Sequence, residues 1–167
     1  HDHDPVLVTG CSTGIGRATA LRLAAQGAAV AVVDIRLEAA EETVASIADG
    51  GGTGVAFDAD VRDRSEIESA RDGAVNAFGH VNYLVNNAGL VRMSPLDELS
   101  EDEWDLVLDT NLKGMYLVTQ AIAPVIVRAL DRGRAVVWLP WYWAPIMAVV
   151  RWLPEPVFQR FGFLSGR

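Results

Sequence analysis

Three observations predict an α/β fold built on a doubly wound parallel sheet. Short apolar runs alternate with amphipathic segments of helical length as far as Val137, the pattern of strands joined by right-handed helical crossovers. A glycine-rich turn joins the first run to the first amphipathic segment. The polar and glycine residues gather just after successive apolar runs, and in open parallel sheets a ligand lies beyond the C-terminal strand ends, where the strand order reverses.

The elements follow in order. Val6 to Val8 is the first strand, and it passes into Thr9-Gly10-Cys11-Ser12-Thr13-Gly14-Ile15-Gly16. The first helix carries Ala18, Leu21, Leu23 and Ala24 as its apolar positions, and Gly27 stops it. Ala28 to Val33 is a continuous apolar second strand ending in Asp34. Leu37, Ala40, Val44 and Ile47 then fall three to four apart, with Glu38, Glu41 and Glu42 on the other face. That second helix closes at Gly50-Gly51-Gly52, and Val55 to Phe57 is the third strand. Asp63 and Glu66 are spaced as a capping-box-like pair ahead of Ile67, Ala70, Ala74 and Phe78, a third helix ending at Gly79. The fourth strand is Val81 to Val85. Ser100 and Glu103 repeat the capping arrangement, and Trp104, Val107, Leu108, Met115, Val118 and Ile122 continue one long helix whose end Pro124 kinks or shortens. Ala135 to Val137 is the fifth strand.

The first loop has a chemistry of its own. Glycines let the backbone approach a pyrophosphate, the following helix N-terminus favours its negative charge, and an acidic residue at the end of the second strand can hold ribose hydroxyls. Asp34 lies eighteen positions after Gly16, close to the expected spacing. Gly10 to Gly16, Asp34, Asp60 and Asn87 to Gly89 therefore fall along one edge of the sheet and converge on one cleft.

The glycine spacing, G-x-x-x-G-x-G, resembles the T-G-x-x-x-G-x-G loop of the short-chain dehydrogenase/reductase family. Asn86-Asn87-Ala88-Gly89 after the fourth strand, Asn111-Leu112-Lys113-Gly114 as an N-x-x-G motif, and Asp60-Val61 match that family in the same order. The resemblance covers Pro5 to Val137 and implies a Rossmann-like fold for residues 1–139, with 140–167 as a separate hydrophobic tail. It implies NAD or NADP bound by Gly10, Ser12, Thr13, Gly14, Ile15, Gly16, Asp34, Ile35, Asp60, Val61, Asn87, Ala88 and Gly89. The family lines the nicotinamide ribose with the Asn87 side chain and the backbone of Ala88 and Gly89, and contacts adenine with Asp60 and Val61. Asp34 repels a 2′-phosphate and so favours NAD, and Arg36 is read as an exposed arginine at the start of a helix.

The resemblance also implies hydride transfer between a nicotinamide and a small-molecule alcohol or carbonyl. The family performs it with a Tyr-x-x-x-Lys pair, an orienting Ser and a relay Asn. Asn111 matches the relay Asn. After the fifth strand come Trp138-Leu139-Pro140-Trp141; Ser165 is the only serine beyond it, and Ile146 stands four positions after Tyr142. Lys113 is the only lysine, so no Tyr-x-x-x-Lys pair exists in the chain. The expectation is a sheet truncated after its fifth strand by loss of an internal segment, leaving a dinucleotide-binding fold with an incomplete active site. Two other readings are an active oxidoreductase whose missing segment belongs to the parent gene, and an interaction module that uses the tail.

Bulk properties set the remaining bounds. A chain of 167 residues, half of them apolar, can bury one core. A net charge of −8 and scattered arginines argue against nucleic acid. Cys11 is the sole cysteine, so no internal disulfide forms and a reducing, cytoplasmic setting is the simpler assumption. A thiol near a helix N-terminus can be somewhat acidic, but Cys11 is read as a small residue tolerated in the loop. His1-Asp2-His3-Asp4 lacks the features of a signal peptide and is read as a frayed terminus, not a metal site; the missing initiator Met suggests a processed or incomplete beginning. From Ala135 to Val150 the chain is uncharged but broken by Pro140 and Pro145, too short for a membrane span. The tail, with Trp152, Phe158, Phe161 and Phe163, is read as folded over the sheet or as a homo-oligomer contact, in preference to a segment lying on a membrane surface.

Overall fold

The computed structural model describes residues 4–132. The expected fifth strand at Ala135 to Val137, the 139/140 boundary, the 140–167 tail and His1 to His3 lie outside the described residues.

Nine regular elements alternate as expected: β1 (Val6–Thr9), α1 (Gly14–Ala25), β2 (Ala29–Asp34), α2 (Leu37–Asp49), β3 (Thr53–Asp58), α3 (Arg64–Phe78), β4 (Tyr83–Val85), α4 (Glu101–Leu108) and α5 (Met115–Asp131), the last two joined by a π-helical turn over Asp109–Gly114. The described strands form one parallel sheet in the order β3-β2-β1-β4. The chain winds outward from β1 through β2 to β3, then crosses back to place β4 on the other side of β1. The reversal sits between β1 and β4, which fixes where a ligand crevice opens.

Side-chain alternation along the two central strands builds two cores. Val6, Val8, Val30 and Val32 face α1 and α2, packing with Ala20, Ala24, Ala40 and Ile47. Leu7, Ala31 and Val33 face the opposite layer, with Ile67, Ala70 and Ala74 of α3 and Val118, Ala121 and Ile122 of α5. Both faces of β1 and β2 are covered, which is why these strands read as unbroken apolar runs.

Several local expectations shift. α1 begins at Gly14 and buries Gly16, Ala20 and Ala24, while Ala18 is exposed and Leu21 and Leu23 pack only at the margin. A stripe of small residues at i, i+4, i+8 lets the helix lie close on the sheet. The β4 ladder starts at Tyr83, not Val81, because the N–H groups of Asn82 and Tyr83 both turn to the Pro5 carbonyl, at 2.8 and 3.2 Å. Pro124 does not end α5, which runs on to Asp131. The carbonyl deprived of its partner belongs to Gln120, an exposed residue, while Ala121, Ile122 and Ala129 keep the helix packed on the core. No helix among the described residues is long and apolar enough to cross a membrane.

Candidate functional site

The C-terminal ends of the four strands surround a cleft of about 500 Å³. Gly10, Thr13, Gly14, Ile15, Gly16, Asp34, Ile35, Asp60, Val61, Asn87, Ala88 and Gly89 all line it. Ser12 and Asn111 do not. Arg36, Ala59, Arg62, Leu90, Leu106 and Thr110 complete the lining and were not expected from the sequence motifs.

The glycine loop is shaped by contacts with the end of β4. A side-chain carbon on Gly10, whose φ is +70°, would stand 2.7 Å from the Ala88 Cα. One on Gly16 would strike the Gly10 carbonyl and the Asn87 amide. Gly14 differs, because its φ of +57° favours glycine yet a Cβ there would meet nothing within 4 Å. It stands open at the first turn of α1, where no side chain caps the backbone N–H groups and no acidic residue offsets the positive helix end. This cradle fits a pyrophosphate.

Beneath the loop, Thr9 and Asn87 act as a clasp. The Thr9 hydroxyl accepts from the backbone N–H groups of Asn87 and Ala88, each at 3.1 Å. The Asn87 amide donates to the carbonyls of Thr9 at 3.0 Å and Gly10 at 2.9 Å. Both donors of Asn87 are therefore committed to the loop. Thr43, fully buried on α2, donates to the Cys11 carbonyl at 3.0 Å and steadies the loop from the other side. Cys11 is packed beneath, its thiol donating to the Val8 carbonyl at 2.9 Å. Burial pushes that thiol up to about 12, against the partial relief of the Val33 backbone and with a small addition from Asp34. This agrees with the reading of Cys11 as a small residue packed in the loop: desolvation outweighs the helix terminus.

The two acidic residues on the cleft wall are held differently. Asp34 is 9% exposed; its Oδ2 accepts from the Ser12 N–H at 2.9 Å and its Oδ1 from the Arg36 N–H at 3.1 Å. Among the described residues no second hydrogen bond reaches either oxygen, and this remaining acceptor capacity suits a pair of vicinal hydroxyls. The Arg36 guanidinium approaches only to 3.9 Å and is mostly exposed. Asp60 is instead wrapped by Arg62, whose hydrogen bonds to it hold the Asp60 carboxyl below the usual carboxylate range. Glu66 does not complete a capping box with Asp63; its carboxylate reaches the Asp60 N–H at 2.7 Å.

Asn111 lies in the π-helical turn. Its amide pairs with the backbone of Leu90 in both directions, Oδ1 accepting and Nδ2 donating at 2.8 Å each. That clamp fixes the segment after Gly89 and places Asn111 beside a small void of about 40 Å³ with Thr9, Asn86 and Ala88. Lys113, in the same turn, pairs with Asp109 at 3.3 Å.

Comparison with known proteins fits this arrangement. Residues 4–137 match the family described as short chain dehydrogenase. The chain belongs to the short-chain dehydrogenase family. It is 39% identical over 132 residues to D-threitol dehydrogenase of Mycolicibacterium smegmatis, which covers 79% of this chain and 50% of that protein. It is 43% identical over 123 residues to a 3-oxoacyl-acyl-carrier-protein reductase of Staphylococcus aureus, covering 73% of this chain and 50% of the reductase. Among solved structures, a short chain dehydrogenase from Mycobacterium avium superposes with a TM-score of 0.74 at 38% identity, covering 81% of this chain and 51% of that one. The chain spans about half the length of the curated relatives it matches. Short-chain dehydrogenases bind a nicotinamide dinucleotide, and the open Gly14 cradle and the remaining acceptor capacity of Asp34 are the features of this cleft that fit one.

Proposed function

We propose that this chain binds NAD(H) in the cleft, in preference to NADP(H), and that alone it does not turn over alcohols or carbonyls. The observation that carries the reading is Asp34. Its carboxylate stands on the cleft wall, anchored by two backbone N–H groups and with no second hydrogen bond on either oxygen among the described residues. A ribose diol suits that remaining acceptor capacity, whereas a 2′-phosphate brings like charge against a carboxylate that has little water to screen it. When bound, the nicotinamide supplies hydride chemistry between a small-molecule alcohol and a carbonyl. The chain's own residues hold the dinucleotide: Gly14 and the first turn of α1 at the pyrophosphate, Ser12 through Asp34 at the ribose, Ile35 and Val61 beside the base, and the backbone of Ala88 and Gly89 at the far ribose. Asn87 shapes this site by holding the loop, since its amide donors are taken. A cytoplasmic setting belongs to the same proposal, supported by Cys11, which is buried as a free thiol.

Calorimetric titration of the folded chain with both cofactors tests the reading. NAD+ should bind at least about tenfold more tightly than NADP+, a difference of about 1.4 kcal/mol, and Asp34→Ala should narrow the gap. Equal affinities, or a preference for NADP+, would overturn the role given to Asp34.

A second reading rests on the half-length match to the relatives. In a parent protein as long as those relatives, the same cleft would serve an active oxidoreductase. Sequencing the parent gene across Val137 to Trp141 separates the two.

A further inference from the structure

The Asp60 carboxylate has about four acceptor sites, two on each oxygen. Oδ1 accepts from the Arg62 backbone N–H at 2.9 Å and from Arg62 Nε at 3.0 Å. Oδ2 accepts from Nε at 2.9 Å and from the terminal Nη2. Arg62 thus engages both oxygens through three hydrogens, its single Nε–H shared between Oδ1 and Oδ2, and leaves at most one site for the exocyclic amino group of a base. Asp34, on the same wall, accepts only one hydrogen bond at each oxygen among the described residues.

The same bonds hold the guanidinium. The fork around Asp60 fixes its plane, Asp109 of the π-helical turn adds a weaker coulombic attraction, and both residues raise its pKa. The Arg62 side chain is 38% exposed and shares the cleft wall with Ala59, Val61 and Leu106, all apolar. A planar, weakly hydrated cation among apolar neighbours is a stacking surface for an aromatic ring.

We propose that Arg62 recognises the adenine of the dinucleotide by stacking its guanidinium on the base, and that Asp60 is a positioning residue that holds Arg62 rather than an acceptor for the adenine amino group. The inference rests on the reading of the cleft as a dinucleotide site. It alters one part of what the family resemblance implies, the direct contact between Asp60 and adenine.

The test titrates the full chain with NAD+ and with nicotinamide hypoxanthine dinucleotide, which lacks the amino group. Stacking tolerates that change, so the unaltered chain should bind the two within about threefold of each other. Arg62→Ala should weaken both by roughly 3- to 30-fold, and Arg62→Lys, which keeps the charge without the flat face, should recover only part of the loss. Asp60→Asn should weaken NAD+ binding in the parent chain and add nothing in the Arg62→Ala background, a coupling that a merely structural carboxylate would not show. Tenfold or greater discrimination against the hypoxanthine cofactor by the unaltered chain, or an Arg62→Ala variant that binds NAD+ as tightly as its parent, would overturn the inference. In either case NAD+ binding itself leaves the cofactor reading standing. A folded parent chain that binds neither dinucleotide defeats both.

Discussion

Gly10, Gly14 and Gly16 are needed for different physical reasons, and the differences predict different phenotypes. Gly10 and Gly16 are packed against Ala88, Asn87 and each other, so a methyl group at either must move the loop or the end of β4. Gly14 faces open space, and only its positive φ and the ligand constrain it. Gly14→Ala should therefore keep the fold at a backbone cost of about 1–2 kcal/mol and lose most NAD+ affinity, because its methyl occupies the pyrophosphate's side of the loop. Gly16→Ala should lower both stability and affinity, since the clash is with a carbonyl and the Asn87 clasp. Thermal melts paired with titration distinguish them. A Gly14→Ala chain that is folded and binds NAD+ normally would show that the loop is only a turn. The glycine spacing was legible in the sequence because a backbone requirement leaves a mark at the residue that meets it. The work of Thr9 and Thr43 was not, because their partners lie 78 and 32 positions away and a lone threonine carries no mark of them.

At the scale of the element, the caps were legible and the π-helical turn was not. Ser100 and Glu103 form the full reciprocal box, with the Ser100 hydroxyl accepting from the Glu103 N–H at 3.2 Å. Ser100→Ala should cost about 1 kcal/mol, read as a fall of a few degrees in Tm, and a melting point unchanged from the parent would show that α4 is held by packing alone. At α3, Asp63 accepts from the Ser65 hydroxyl and from the N–H groups of Glu66 and Ser65, which together hold its carboxyl below the usual range. A folded-state pKa below the unfolded value of about 3.9 means that the stabilisation is complete above that pH and fades as pH falls through the folded value. The difference in stability between the parent and Asp63→Asn should be largest near neutrality and shrink below about pH 4. A gap that widens on acidification would refute the assignment. The π-helical turn escapes such reasoning because Trp104, Leu108, Met115 and Val118 fit an unbroken helical period as well as an interrupted one. What fixes the interruption is tertiary: Asn111 takes both backbone groups of Leu90, and Gly114 lies so close to Val61 that a Cβ there would come within 2.7 Å of its side chain.

Across the whole molecule, the sheet order decides what chemistry can be assembled at the cleft. The described residues that line it come from the C-terminal ends of β1, β2, β3 and β4 and the loops that follow them, from the first turn of α1, and from α4 and the turn that follows. Tyr83 lies at the opposite edge, in register with Val6 at the first position of β1, and burial followed by the nearby Asp4 raises its pKa. Tyr116 is on the exposed side of α5, its hydroxyl accepting from Gln120 Nε2 at 2.9 Å. Lys113, the one lysine of the chain, is paired with Asp109. An unassisted tyrosine has a pKa of about 10 and is a poor base at neutral pH, and general acid–base catalysis contributes about 10²- to 10⁴-fold where it operates. The chain should therefore bind NAD+ and yet show no measurable oxidation of a panel of secondary alcohols when absorbance of the reduced nicotinamide is followed. Tyr142 is the remaining tyrosine and lies outside the described residues; four positions after it stands Ile146 where the family has its lysine. Turnover by this chain that vanishes in Tyr142→Phe would show that a rearranged site performs the chemistry and that the missing lysine is not disabling. Turnover unaffected by that change would place the proton transfer elsewhere, and Asn111→Ala, which releases the Leu90 clamp beside the cleft, would be the next variant to assay.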